Sequence, residues 1–138
     1  MKIKIVIVLF IAAFLGLVNE LATRPNVNTK EVMRLKLRYA QSVLEGIATE
    51  NFVLIQVNAD KLYALSQSAD WNIRQTPEYQ RFTGDFSRQA LALEKAAGQK
   101  NVDAATLAYF QMTASCVECH KYLRGARQAK LNLEKTPR

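Results

Sequence analysis

The sequence predicts an all-α domain built as an antiparallel four-helix bundle. From Thr29 onward, apolar residues recur at steps of three and four, and few Gly or Pro interrupt the periodic segments. The segments have similar lengths and short connections, which favours antiparallel neighbours. The chain has 138 residues, of which 49% are hydrophobic and 22% are charged. This composition is typical of one compact domain and excludes a disordered or fibrous chain.

Residues 1–22 are predicted to be a targeting segment. Lys2 and Lys4 precede an uninterrupted apolar run, Ile5 to Val18, which is typical of a secretory signal. The 14 residues of this run would rise about 21 Å as a helix, less than the ~30 Å hydrocarbon core of a bilayer. Cleavage after Ala22 lacks a small-x-small pattern, so a removed signal peptide and an uncleaved membrane anchor both stay open. We expect residues 23–138 to form the domain outside the cytoplasm, in the periplasm.

The first two helices are predicted at residues 29–49 and 51–69, and each has one apolar stripe that is expected to face the core. The first stripe comprises Met33, Leu37, Ala40, Leu44 and Ile47. The second stripe comprises Ile55, Asn58, Leu62, Leu65 and Ala69. Asn58 would need a hydrogen-bond partner there. Trp71 follows the end of the second helix.

The third helix is predicted to begin with Thr76 as N-cap and Pro77 in the first helical position, and to end at Gly98. Its core residues are expected to be Tyr79, Phe82, Phe86 and Leu93. The fourth helix is predicted to begin near Asn101 and to end near Gly125, with a basic, frayed tail after it. Its stripe comprises Ala105, Tyr109, Met112, Cys116, Cys119 and Leu123.

The two Cys and the one His of the chain lie within five residues, as Cys116, Cys119 and His120. The C-x-x-C-H pattern is the signature of c-type haem attachment. Cysteines three apart share one helix face, so each sulfur can form a thioether with one of the two vinyl groups of a haem. The next residue can then bring an imidazole nitrogen to the iron. The pattern predicts one haem c, bound through both cysteines near the C-terminal end of the last helix, with His120 as proximal iron ligand.

Other uses of these residues fit the sequence less well. A structural zinc site normally takes four protein ligands, and the chain has three Cys and His residues in all. A thioredoxin-type dithiol should adjoin a βαβ pattern, which is missing here. A disulfide across one helical turn is sterically awkward and closes too short a loop to stabilise much.

The residue on the other side of the iron would decide between electron transfer and ligand binding. Met112 lies about 12 Å along the helix from His120, so it is expected to be core. In an antiparallel bundle the start of the first helix lies beside the end of the fourth, which brings Met33 and Leu37 near the haem. Met33 would give six-coordinate iron, and Leu37 would leave an open, apolar position. The two alternatives stay open.

The chain resembles the cytochrome c prime family of four-helix c-type cytochromes, which carry C-x-x-C-H in the last helix. The resemblance covers residues 29–124 and includes Arg124, Trp71 and the Asn58-x-x-x-Leu62 pattern. In that family the first helix supplies the distal residue, which is Met in six-coordinate members and Leu or another apolar residue in five-coordinate ones. The resemblance implies that Met33 or Leu37 takes this place here.

We therefore expect a periplasmic one-electron carrier, with a five-coordinate protein that binds nitric oxide or carbon monoxide as the alternative. The net charge of +7 favours an acidic redox partner, and Arg34 is a candidate to pair with a haem propionate. Arg34, Lys36 and Arg38 lie on the same helix and are expected on a solvated face, with pairing of one or two of them to the propionates as the alternative. The resemblance makes a homodimer a further candidate, and no nucleic-acid partner is expected. Peroxidase-like activity is not expected, because there is no second His to act as an acid-base catalyst.

Overall fold

The computed structural model describes residues 28–68, 71 and 73–135. Within these residues it contains no strand and four helices, α1 (Thr29–Ala48), α2 (Phe52–Ser66), α3 (Pro77–Gly98) and α4 (Val102–Lys135). The predicted all-α class is confirmed. The predicted targeting segment, residues 1–22, lies outside the described residues. None of the four helices combines the length and the apolar character needed to cross a bilayer.

Each helix packs extensively on the next one along the chain, whereas α1 and α4 meet over a much smaller area. Residues 49–51 join α1 to α2, and residues 99–101 join α3 to α4. Connections this short turn the chain back on itself, so the joined helices run antiparallel. The arrangement is consistent with the predicted four-helix bundle, with its α1–α4 side left open.

All four helices begin after a residue whose side-chain oxygen accepts a hydrogen bond from a backbone N–H of the first turn. Such a cap satisfies a donor that has no partner within the helix. The capping residues are Asn28, Asn51, Thr76 and Asn101. Pro77 follows Thr76 in the first helical position, as predicted. The predicted starts of α3 and α4 are therefore confirmed.

The core is formed mainly by α2, α3 and the first half of α4. The predicted residues of α3 are all buried, namely Tyr79, Phe82, Phe86 and Leu93. In α2, Ile55, Asn58 and Leu62 are buried as predicted, whereas Ala69 lies outside the described residues. Asn58 finds the partner it needs, since its Nδ2 donates to the carbonyl oxygen of Leu54 at 2.8 Å.

The predicted core stripe of α1 is wrong by one position around the helix. The buried residues are Val32, Lys36, Val43 and Gly46. Leu37 is 60% exposed and Leu44 is 49% exposed, while Met33, Ala40 and Ile47 are partly buried. Two adjacent stripes of α1 can pack against other helices. The buried stripe contains a lysine and a glycine, so a search for apolar residues does not identify it. The stripe that the pattern selected borders the open side of the bundle.

Gly46 allows α1 and α2 to approach closely next to their connection. A Cβ atom at this position would lie 2.8 Å from Cγ1 of Ile55 and 3.1 Å from the carbonyl oxygen of Asn51. Contacts below 3.0 Å are not tolerated, so a larger residue would have to push the two helices apart. The absence of a side chain at this position is therefore part of the α1–α2 packing.

Helix α4 is longer than predicted, because it continues through Gly125 to Lys135. The residues after Gly125 are mostly strong helix formers such as Ala, Arg, Gln, Leu and Lys. Lys130 and Glu134 form an ion pair at i and i+4, with 3.8 Å between Nζ and Oε1, which supports this last part of the helix. Its side chains are almost all exposed, so this extension adds little to the core.

Candidate cofactor site

A cavity of about 550 Å³ lies between α1 and α4, on the open side of the bundle. It exists because these two helices do not close against each other as the other neighbours do. Its wall is mostly apolar, with Ala40, Tyr109 and Met112 among the lining residues. Met112 is fully buried and so belongs to the core, as the sequence predicts, while one side of it borders the cavity.

Five of the six residues that the sequence singles out line this one cavity. They are Met33, Arg34 and Leu37 from α1, and Cys116 and His120 from α4. The sixth, Cys119, does not line the cavity and is half-buried one helical turn beyond Cys116. The topology thus brings the start of α1 beside the C-x-x-C-H segment, which supports the reasoning that selected Met33 and Leu37.

The C-x-x-C-H segment is continuous α-helix, and both of its cysteines are free thiols. Burial raises the pKa of the Cys119 thiol, while the nearby charge of Lys36 acts in the opposite direction. Partial burial lowers the pKa of His120, and the positive charges of Lys36 and Arg124 lower it further. The electrostatics therefore favour a neutral imidazole, the form that can donate an electron pair to a metal ion.

Lys36 is a residue of the site that the sequence reasoning missed. The sequence predicts it on a solvated face or beside a propionate, yet it is only 9% exposed in the core and also lines the cavity. Its Nζ atom lies 3.9 Å from the ring centroid of Trp71 and 3.9 Å from that of Phe86. Lys36 lines the cavity together with Cys116. Burial lowers the pKa of Lys36, and the two neighbouring cysteine sulfurs oppose this shift.

A signal for this placement is present in the sequence. Lys36 lies four residues after Val32 and seven before Val43, so the three share one helix face. An aliphatic stem can pack in a core while the ammonium contacts aromatic rings. The aromatic partners come from α3 and from the connection before it, so the pattern of α1 alone does not reveal them.

The mouth of the cavity is basic. Lys30 and Arg34 line it and are exposed. Nη1 of Arg34 lies 3.6 Å from Oε2 of Glu31, a pair that is exposed to solvent and contributes little to stability. No carboxylate lines the cavity among the described residues. An apolar wall with a cationic mouth suits a ligand that has an apolar body and anionic substituents.

The chemistry of these residues fits a haem better than a bare metal ion. Within the ranges that the structure describes, no three His, Cys, Asp or Glu side chains converge as ligands of one ion would. A volume of about 550 Å³ is within the usual range for a small-molecule site, roughly 300–1,000 Å³. Two thiols one turn apart and an imidazole beside a large apolar cavity are the groups that covalent haem binding requires.

In the described part of the chain, the fold and the site define a class, four helices without a strand and a C-x-x-C-H segment that borders a cavity. Comparisons with models of protein families, with curated protein sequences and with solved structures find no match. Function is therefore inferred from the residues of the site and not from likeness to a known protein.

Proposed function

We propose that this protein is a monohaem c-type cytochrome that carries single electrons outside the cytoplasm. The observation that carries the proposal is that Cys116 and His120 border a mostly apolar cavity of about 550 Å³. A haem bound there would supply one-electron exchange between ferric and ferrous iron. The export prediction for residues 1–22 agrees with this, since c-type maturation takes place outside the cytoplasm.

The residues of α4 would hold the cofactor. The thiols of Cys116 and Cys119 would each add across one vinyl group, giving two thioether bonds that keep the cofactor in place even when an axial bond breaks. His120 would bind the iron through a ring nitrogen, and its lowered pKa keeps that nitrogen available. Because all three residues lie on one rigid helix, their relative positions are fixed before the cofactor arrives.

The residues of α1 would form the other wall. Met33 is half-buried on the cavity surface, so its thioether is a candidate for the second axial position. A Met ligand raises the reduction potential of a haem and leaves no open coordination site, which suits an electron carrier. One observation favours the alternative function, binding of nitric oxide or carbon monoxide. Leu37, which cannot bind iron, lines the same cavity.

The charged residues suggest how partners would be recognised. Arg34 and Lys30 stand at the cavity mouth, where they would pair with the haem propionates. The net charge of +7 would steer an acidic redox partner toward the protein. No enzymatic activity is proposed, because the chain has one His and offers no second one as an acid-base catalyst. A homodimer and an N-terminal membrane anchor stay predictions.

The first experiment is to produce the full chain in a host with c-type maturation machinery. We expect the mass of the denatured protein to include one covalently bound haem. We expect Cys116→Ser and Cys119→Ser each to leave at most one thioether bond. Optical spectra are recorded for the oxidised, reduced, and reduced plus carbon monoxide forms. A protein that emerges without covalent haem under these conditions overturns the proposal.

Two matched variants decide the coordination. Met33→Leu and Met112→Leu each remove a sulfur while nearly keeping side-chain volume. For an electron carrier, the wild type is low-spin and resists carbon monoxide, Met33→Leu becomes high-spin and binds it, and Met112→Leu behaves like the wild type. A wild type that is high-spin and binds carbon monoxide at once contradicts the carrier and favours gas binding.

A further inference from the structure

Lys36 is a buried cation at the candidate cofactor site to which the proposed function assigns no role. No ion pair joins it to a carboxylate in the part of the chain that the structure describes. A buried charge without a counterion is costly, so its environment has to compensate. The compensation comes from electron-rich neighbours that carry no net charge.

Two aromatic rings favour the charged ammonium form of Lys36. The faces of Trp71 and Phe86 lie beside Nζ, each with its centroid at 3.9 Å. Aromatic faces at this distance attract a cation, and more strongly when water is excluded. This attraction opposes the desolvation that lowers the pKa of Lys36.

The same contacts place the charge on one side of the site. The two vinyl groups that react with cysteines are on the opposite edge of a haem from its two propionates. Because Lys36 lines the cavity with Cys116 and interacts electrostatically with both cysteines, the residue would adjoin the vinyl edge. The exposed Lys30 and Arg34, at the cavity mouth, are the candidates for the propionates instead. The charge of Lys36 therefore has no anionic group of the cofactor beside it.

We infer that Lys36 is a fixed, buried positive charge that raises the reduction potential of the haem in this protein. The inference rests on the proposed function. Ferric haem carries one more positive charge than ferrous haem, so a nearby cation disfavours the ferric form. Burial keeps water and salt from screening this effect, as they screen the charges of exposed side chains.

The test is potentiometry on the haem-loaded full-length protein and on four variants. Lys36→Leu and Lys36→Gln remove the charge, and neither residue replaces it with a Met or His ligand. Lys36→Arg keeps the charge, and Lys95→Leu removes an exposed cation of α3 that does not line the cavity. A neighbouring charge commonly shifts a titrating group by one unit or more. By analogy, we expect both neutral variants to favour the ferric form about tenfold, a fall in potential of about 59 mV.

The controls separate charge from packing and from ligation. Lys36→Arg is expected to stay near the wild-type potential, and Lys95→Leu is expected to shift it much less than the neutral Lys36 variants. Equal potentials for Lys36→Leu, Lys36→Gln and Lys95→Leu overturn the inference. A change from low-spin to high-spin iron in the neutral variants also overturns it, because the lysine nitrogen would then be a ligand. If the wild type carries no covalent haem, the proposed function fails and the inference falls with it.

Discussion

Replacing Gly46 with alanine tests whether close contact between α1 and α2 holds the bundle together. The added Cβ would lie 2.8 Å from Cγ1 of Ile55 and 3.1 Å from two backbone atoms, the carbonyl oxygen of Asn51 and the amide nitrogen of Ile55. Ile55 is fully buried and β-branched, so its side chain has little freedom to move away. The first turn of α2 would have to shift.

The size of the effect follows from two opposing contributions. Overpacking a core costs about 1–3 kcal/mol, and a clash with backbone favours the upper part of that range. Alanine in place of glycine within a helix stabilises the folded state by about 1 kcal/mol. We therefore expect Gly46→Ala to lower the free energy of unfolding by about 1–2 kcal/mol. For a domain of this size, that corresponds to a fall in Tm of roughly 4–8 °C.

Gly84→Ala is the matched control. Gly84 lies inside α3, and a Cβ there would meet only the flexible end of Arg88, at 3.6 Å. Without a clash, the helix preference alone acts, so Tm should rise by roughly 4 °C. Thermal unfolding followed by far-UV circular dichroism, at equal haem content, measures both. If Gly46→Ala is as stable as the wild type, or if both variants shift Tm in the same direction, the packing argument is refuted.

Two other predictions concern the core of α3. Leu93→Ala should lower the free energy of unfolding by about 2–5 kcal/mol, because Leu93 is fully buried. Leu91→Ala should lower it much less, because the Leu91 side chain is already 43% exposed in the wild type, and urea unfolding compares the two variants. Burial raises the pKa of Tyr79, whose hydroxyl donates to the carbonyl oxygen of Trp71. The unfolded chain then loses this proton at lower pH than the folded protein, so stability should fall as pH rises above about 10. Tyr79→Phe should weaken that decline and cost about 1 kcal/mol at neutral pH, and an unchanged alkaline decline would contradict the assignment.

Helix starts were predictable because their signals are local. Thr76 with Pro77, and Asn101, act on the backbone within three residues, so no distant contact is needed to recognise them. The end of α4 was not predictable in the same way. Gly125 is compatible with a helix end, but a glycine ends a helix only when the backbone turns there, and nothing in the following residues requires that turn.

The composition of the candidate site was largely predictable, and its finer arrangement was not. The C-x-x-C-H pattern and the bundle topology together select Cys116 and His120, with Met33 and Leu37 as alternatives opposite them, and all four border the cavity. Lys36 was missed because its burial depends on Trp71 and Phe86, which are distant in sequence. The core face of α1 was predicted wrongly for a related reason. Which of its two stripes is buried depends on the side chains of the other helices, and the sequence of α1 does not contain that information.

The open side of the bundle also leaves α1 and α4 with one extensively packed neighbour each. α3 packs extensively on two neighbours, whereas α1 packs extensively on α2 alone. In hydrogen exchange, amides of α1 should therefore open at a lower free-energy cost than those of α3. Met33, Leu37 and Lys36 all lie on α1. Local opening of α1 would move the entire distal wall at once, so access to the cavity and the local stability of one helix are governed by the same equilibrium.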